Sequence, residues 1–183
     1  MKYAFLHLNL GIVISILFLS FIPVSVKKND SVPRKLQSDF HIVISKKTYE
    51  LKVYDSEGWF ATYPCVFGSN DLTDKLMEGD KRTPEGTYKV ILKKKNAKWA
   101  FELLLDYPTA ENKRKFNERK SKGLIPRNAN IGGGIAIHAT RPQEEWTVDH
   151  FQNWTDGCVS LKYTEAKDLF SYIDVGTTVT ITK

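Results

Sequence analysis

The chain has 183 residues, 42% of them apolar and 12% aromatic, with a net charge of +6. That apolar share supplies one proper core, and together with only 26% charged residues it excludes a disordered polyelectrolyte. A basic excess of this size suits an anionic setting such as phospholipid or cell-wall polymer but is also ordinary surface chemistry, so no nucleic-acid partner is expected.

Residues 1–26 carry Lys2 and then an uncharged apolar run from Tyr3 to Val26, followed by Lys27-Lys28. The pattern predicts export. It reads either as a signal peptide, with Val24-Ser25-Val26 as a poor small-x-small site, or as an uncleaved anchor over 3–26, since about twenty residues span a bilayer. Flanking charge does not orient it, because Lys2 stands on one side and Lys27-Lys28 on the other. Residues 27–39 are polar, contain Pro33 and lack periodicity, as a linker does. A single folded domain is expected over 40–183, in the periplasm or cell envelope.

Within that domain "FHIVIS" and "YELKVY" predict a hairpin across Lys46-Lys47-Thr48, with "WFATYPCVFG" and "GTYKVILKK" as further strands. Between them, "SNDLTDKLMEGDKRTPEG" predicts an ordered loop ending in the tight turn Thr83-Pro84-Glu85-Gly86. "TAENKRKFNERKSKG" predicts a solvated helix that stops at Gly123, with Lys113, Arg114, Lys115, Arg119 and Lys120 on a hydrated face. "GGGIAI" leads into a strand that carries His138 at its end. "TEAKDLFSYIDVG" predicts a short amphipathic helix capped by Thr164, and "TTVTIT" closes the chain as a strand. The fold class is mainly β with short helices.

Chemistry concentrates in "IAIHATRPQEEWTVDHFQNWTDGCVSL", residues 135–161. Cys158 follows Asp156-Gly157, a turn that can aim backbone N–H groups at a sulfur, lowering its pKa and forming an oxyanion hole. The alternative is a buried apolar cysteine at a strand start. His138 at a strand end is a ready base, or a structural histidine bonded to a carbonyl.

"IHAT" followed by "NWTDGCVSL" resembles the signature of the L,D-transpeptidase (YkuD-type) catalytic domain. "IVISKKTYELKVYDSEGWFATYPCVFG", "GDKRTPEGTYKV" and "VGTTVTIT" are similar to that family's opening strands, its Thr-Pro-x-Gly turn and its closing strand. The resemblance implies a mixed β-sheet sandwich acting on peptidoglycan stem peptides, with a part in peptidoglycan synthesis, cell-wall organisation and cell shape. It implies Cys158 as nucleophile and His138 as general base, oriented by the backbone carbonyl of Ala139. Backbone N–H groups of Gly157 and Cys158 would hold the oxyanion. A thioester acyl-enzyme would pass to a stem amine, to water or to a lipoprotein amine, with no cofactor. L,D-carboxypeptidase or amidase action, and a non-catalytic wall-binding module, remain alternatives.

Two positions depart from the family's Ser/Thr-His-Gly-Cys-x-Arg pattern, where Asp156 replaces the second histidine and Ser160 the arginine. Asp156 would raise the cysteine's pKa if it faced the sulfur, so it is expected to turn away, to meet a substrate ammonium, or to serve as a turn former. Capture of a stem carboxylate then falls to Arg141 or the lysine-rich helix. Trp146, Phe151 and Trp154 are read as a lid or cleft wall, or else a core stripe, with Trp154 a substrate-binding candidate. Cys65 is expected in the core, although an oxidising compartment allows a Cys65–Cys158 disulfide. No metal is expected; the set His138, His150, Cys158 and Asp156 lacks short-range ligand spacing.

Overall fold

A computed structural model describes residues 40–183; the export segment expected at 1–26 and the linker at 27–39 lie outside the described residues. Eight strands form, β1 (His41–Ser45), β2 (Glu50–Asp55), β3 (Gly58–Pro64), β4 (Gly86–Asn96), β5 (Ala100–Leu105), β6 (Ala136–Ala139), β7 (Val159–Leu161) and β8 (Thr178–Thr182). Among the described residues three α-helices accompany them, α1 (Ala110–Ser121), α2 (Trp146–Asp149) and α3 (Tyr163–Tyr172), with a short 3-10 turn at Pro142–Glu144. The mainly β class expected from sequence is present, in the spatial order β3-β2-β1-β8-β4-β5-β6-β7.

Alternation decides the first hairpin. Ile42, Ile44, Leu51 and Val53 are fully buried, and the antiparallel register sets Ile42 against Val53 and Ile44 against Leu51. The closing strand β8 then enters between β1, in parallel, and β4, antiparallel. β4 is the longest strand; it pairs with β8 through Gly86–Lys89 and with β5 through Val90–Asn96, with an irregularity between Val90 and Leu92. The irregularity lies where β4 changes partner from β8 to β5, as a β-bulge does. β5 has no counterpart among the expected strands. Its apolar run lacks a clean alternation, and Phe101, Glu102, Leu103 and Leu105 are all buried.

The ends of the ladder meet. Val66, two residues beyond β3, exchanges both backbone hydrogen bonds with Ser160 of β7, at 2.9 and 2.8 Å. The strand series therefore curls on itself beside Cys158.

The hairpin turn carries a buried cation. Lys46 is 1% exposed; its ammonium donates to the carbonyls of Thr73 and Thr83 and pairs with Glu85 at 2.9 Å. Burying the cation is tolerable because each of these oxygens is a charge or dipole aimed at it. Two more cations order the loop at 69–85. Lys75 pairs with Asp80, whose carboxylate also accepts from the N–H groups of Leu76, Met77 and Arg82. Arg119 of α1 pairs with Asp74 at 2.7 Å and donates to the carbonyl of Lys75. Arg119 thus leaves the hydrated face expected of it, whereas Arg114 stays on that face, paired with Glu111 and Glu118.

Helix α1 begins at a capping box between Thr109 and Asn112, buries Phe116, and is followed by Gly123 at φ 70°. Helix α3 starts two residues earlier than expected. Thr164 is not its cap; Lys162 is, without a side-chain bond, and Glu145 accepts from the Thr164 N–H at 2.8 Å. A carboxylate from a separate loop therefore supplies the capping oxygen.

Candidate active site

The site is built on the parallel pair β6–β7. Ile137 and Val159 partner each other on the core face, so His138 and its partner Ser160 leave the sheet on the opposite side. His138 lies one position before the strand's end. Cys158 immediately precedes β7 and is half-buried. Its thiol donates to the carbonyl of Gly134 at 3.5 Å, and the Ala136 N–H points at the sulfur. The sulfur therefore lies against the start of the strand that carries the imidazole.

Glycines let the backbone close around it. A Cβ on Gly68 would stand 2.3–2.6 Å from the carbonyls of Lys81 and Thr155 and the N–H nitrogen of Gly157, so three loops cross there with no room for a side chain. Asn153 ties two of them together; its Oδ1 accepts from Phe67 N–H at 2.7 Å, and its Nδ2 donates to Ser69 O, Asn70 Oδ1 and the Tyr49 hydroxyl. Thr155 shapes the turn, accepting from Gly157 N–H at 3.1 Å and donating to Cys158 O at 2.8 Å. The Gly157 N–H, expected to face an oxyanion, is thus directed at Thr155.

His138 is 2% exposed, and its Nδ1 lies 3.0 Å from Ala139 O. A carbonyl only accepts, so Nδ1 carries the proton and Nε2 keeps its lone pair. Burial lowers the histidine's pKa, against the opposing pull of the Ala139 carbonyl and the Glu102 carboxylate. Burial raises the Cys158 thiol; the Ala136 N–H opposes this, and the charges of Glu102 and Asp156 add to it. The lowered thiol pKa expected from the Asp-Gly turn does not occur, because desolvation outweighs a single aimed N–H. Both groups rest neutral near pH 7.

Trp99, at the tip of the β4–β5 hairpin, lays its ring 4.4 Å from the imidazole at 34°, and Trp154 meets it edge-on at 5.6 Å. Sequence reading passed over Trp99, because only the pairing of β5 with β6 brings it to His138. A cleft of about 410 Å³ extends from these two indoles, walled also by Trp146, Thr147, Gln152, Lys98, Arg141 and Glu144. A second, of about 310 Å³, lies on the sulfur's side, where Asp156 and Ile135 face Lys81, Glu78 and the glycines at 132 and 133.

The substrate-binding candidates separate accordingly. Arg141 and Trp154 border the first cleft and exposed Asp156 borders the second. Ser160 is fully buried, with a hydroxyl that finds no partner among the described residues. Of the aromatic wall, Trp146 and Trp154 take part, whereas Phe151 packs on Tyr49 at 5.2 Å. Cys65 is fully buried, and both thiols are free. Among the described residues no three His, Cys, Asp or Glu side chains converge as a metal site, and His150 is exposed with Nδ1 held by Trp146 O.

Several solved structures are similar. The helical cell shape determining protein Pgp2 from Campylobacter jejuni aligns with a TM-score of 0.61 at 21% identity, covering 79% of this chain and 47% of that one. Bd1075 from Bdellovibrio bacteriovorus aligns at 0.57 and 23% identity, covering 80% and 48%. L,D-transpeptidase 3 from Mycobacterium tuberculosis, in complex with a faropenem-derived adduct, aligns at 0.52 and 14% identity, covering 80% and 61%. The chain thus spans about half the length of the first two. No curated protein sequence matches it significantly. The family model for the L,D-transpeptidase catalytic domain, YkuD, matches residues 39–181, and the chain belongs to that family.

Proposed function

We propose that the domain is a cysteine-dependent acyltransferase that cleaves a peptidoglycan stem peptide after its third residue and passes the acyl group to an amine, giving a 3→3 cross-link. The observation that carries this reading is the neutral pair on β6–β7, an imidazole on β6 whose Nδ1 is held by the Ala139 carbonyl and a half-buried thiol at the head of β7 that donates to Gly134, just before β6.

Because both groups start neutral, proton transfer accompanies attack. His138 Nε2 takes the thiol proton as Sγ bonds to the carbonyl carbon. The developing oxyanion meets the Cys158 N–H; Gly157 N–H joins only if it leaves Thr155. Collapse breaks the C–N bond, the imidazolium returns its proton to the departing amine, and a thioester remains. A second amine then attacks, His138 takes its proton, and the thiolate leaves to be reprotonated. Two clefts, one starting at the indoles that pack on His138 and one at Asp156, suit a donor and an acceptor muropeptide arriving in turn. An exported setting, in the periplasm or cell envelope, follows from a peptidoglycan substrate; anchoring through 3–26 and a lipoprotein acceptor belong to the same proposal.

Hydrolysis of the same thioester is the second reading. It is favoured by Ser160, whose buried position leaves no cation where the family pattern has arginine. Incubation with purified disaccharide-tetrapeptide and mass analysis of the products decides between them. The proposal expects cross-linked dimers with release of the terminal residue, whereas tripeptide monomers alone would replace transfer with hydrolysis.

A further inference from the structure

Three of the chain's four tryptophans border one cleft, which is more than the chemistry at the sulfur calls for. They are not equivalent. Trp99 already has His138 against its ring at 4.4 Å and the Lys98 ammonium over it at 4.6 Å. Trp154 meets Trp99 at 5.8 Å and the imidazole at 5.6 Å. Trp146, by contrast, is 50% exposed and, among the described residues, meets another ring only where the edge of His150 lies 6.2 Å away. A large apolar face left in water beside a cleft marks a place where a ligand stacks.

The rim identifies what kind. Arg141 donates to Glu144 at 3.0 Å, and this pair together with Gln152 keeps further planar donors and acceptors for neighbouring hydroxyl and amide groups on a ring's edge. A ligand with an apolar face of axial C–H bonds and a polar equatorial edge matches both features, and that is a pyranose. The volume agrees, since about 410 Å³ is several times what a terminal alanine fills.

We infer that this cleft holds an N-acetylated hexopyranose of the glycan strand, stacked on Trp146 and bonded along its edge by Arg141, Glu144 and Gln152. The inference rests on the peptidoglycan reading above. Three extended stem residues span roughly 10 Å. That reach connects a sugar beyond the Trp99–Trp154 wall to a carbonyl in front of His138.

The test uses the protein with the N-acetylglucosamine tetramer, which carries no peptide. Saturable binding by calorimetry is expected, with magnetisation transferred from indole to the sugar's axial ring protons, weakened at least tenfold by Trp146→Ala and by Gln152→Ala. Trp59→Ala, on the exposed face of β3, leaves it unchanged. In turnover, Trp146→Ala raises KM for disaccharide-tetrapeptide at least ten times more than for free tetrapeptide. Absence of tetramer binding at millimolar concentration, or an equal penalty on both substrates, overturns the inference and gives the cleft to the peptide. Labelling of Cys158 by a carbapenem-like acylating agent, read by intact mass in the same samples, reports separately on the acyl-transfer reading. Glycan binding without labelling removes that reading alone.

Discussion

At Cys158 and His138 the pKa shifts run opposite to those of a preformed thiolate–imidazolium pair, and this sets the pH behaviour. His138 titrates below its ordinary 6.5, so the neutral base persists into mildly acidic solution and is lost only as pH falls through that lowered value. Cys158 ionises above its ordinary 9.0, so the free thiol is the resting species at neutral pH. The rate of iodoacetamide alkylation at Cys158 is therefore expected to rise with a midpoint above pH 9.0, with Cys65 inert because it is fully buried. A midpoint near or below neutrality would show the ion pair instead. Both residues are legible in sequence because their signals are local, an Asp-Gly turn before a cysteine and a glycine run before a strand with histidine. Trp99, Thr155 and Asn153 are not, since their meaning depends on contacts made after folding. The sign of the cysteine shift is likewise invisible, because burial is a property of the fold rather than of the hexapeptide.

At the scale of elements, the loop at 69–85 walls the cleft on the sulfur's side, and buried cations give it shape. Lys46 matters most, reaching across from the first hairpin to two loop carbonyls and Glu85. Replacing it by methionine keeps the volume and leaves three acceptors without their donor. Lys46→Met is expected to cost about 2–3 kcal/mol in urea unfolding and to speed proteolysis within the loop. An unchanged unfolding midpoint would mean the ammonium contributes only its own burial. The ordered loop itself is foreseeable from its turn formers at both ends. The burial of Lys46 is not, because a lysine in a hairpin turn reads as solvent-exposed until a second segment folds over it. Thr164 teaches the same lesson at α3, where the capping oxygen comes from Glu145 and not from the nearest threonine.

For the whole molecule, the consequential feature is closure of the strand series at Val66 and Ser160, beside Cys158. An open ladder would leave β7 as a fraying edge, and Cys158 would move with it. Closed, the amides of Val66 and Ser160 should exchange as slowly as those of the central pair β1–β8 in native-state hydrogen exchange. Exchange as fast as at the outer edge of β3 would contradict closure. Sequence pattern conveys the β-rich class and most of the strands, yet it carries no trace of this bridge, which joins residues far apart in the chain through backbone groups alone. The mixed order of strands is similarly hidden, because placing the last strand between the first and fourth is decided by packing rather than by alternation.

Rapid quenching of the enzyme with disaccharide-tetrapeptide, followed by intact-mass and peptide mapping, tests the central claim most directly. The account predicts a transient adduct of the tripeptide acyl mass on the peptide containing Cys158, absent in Cys158→Ala and in His138→Ala. Turnover that continues in Cys158→Ala, or an adduct on any other residue, would contradict it.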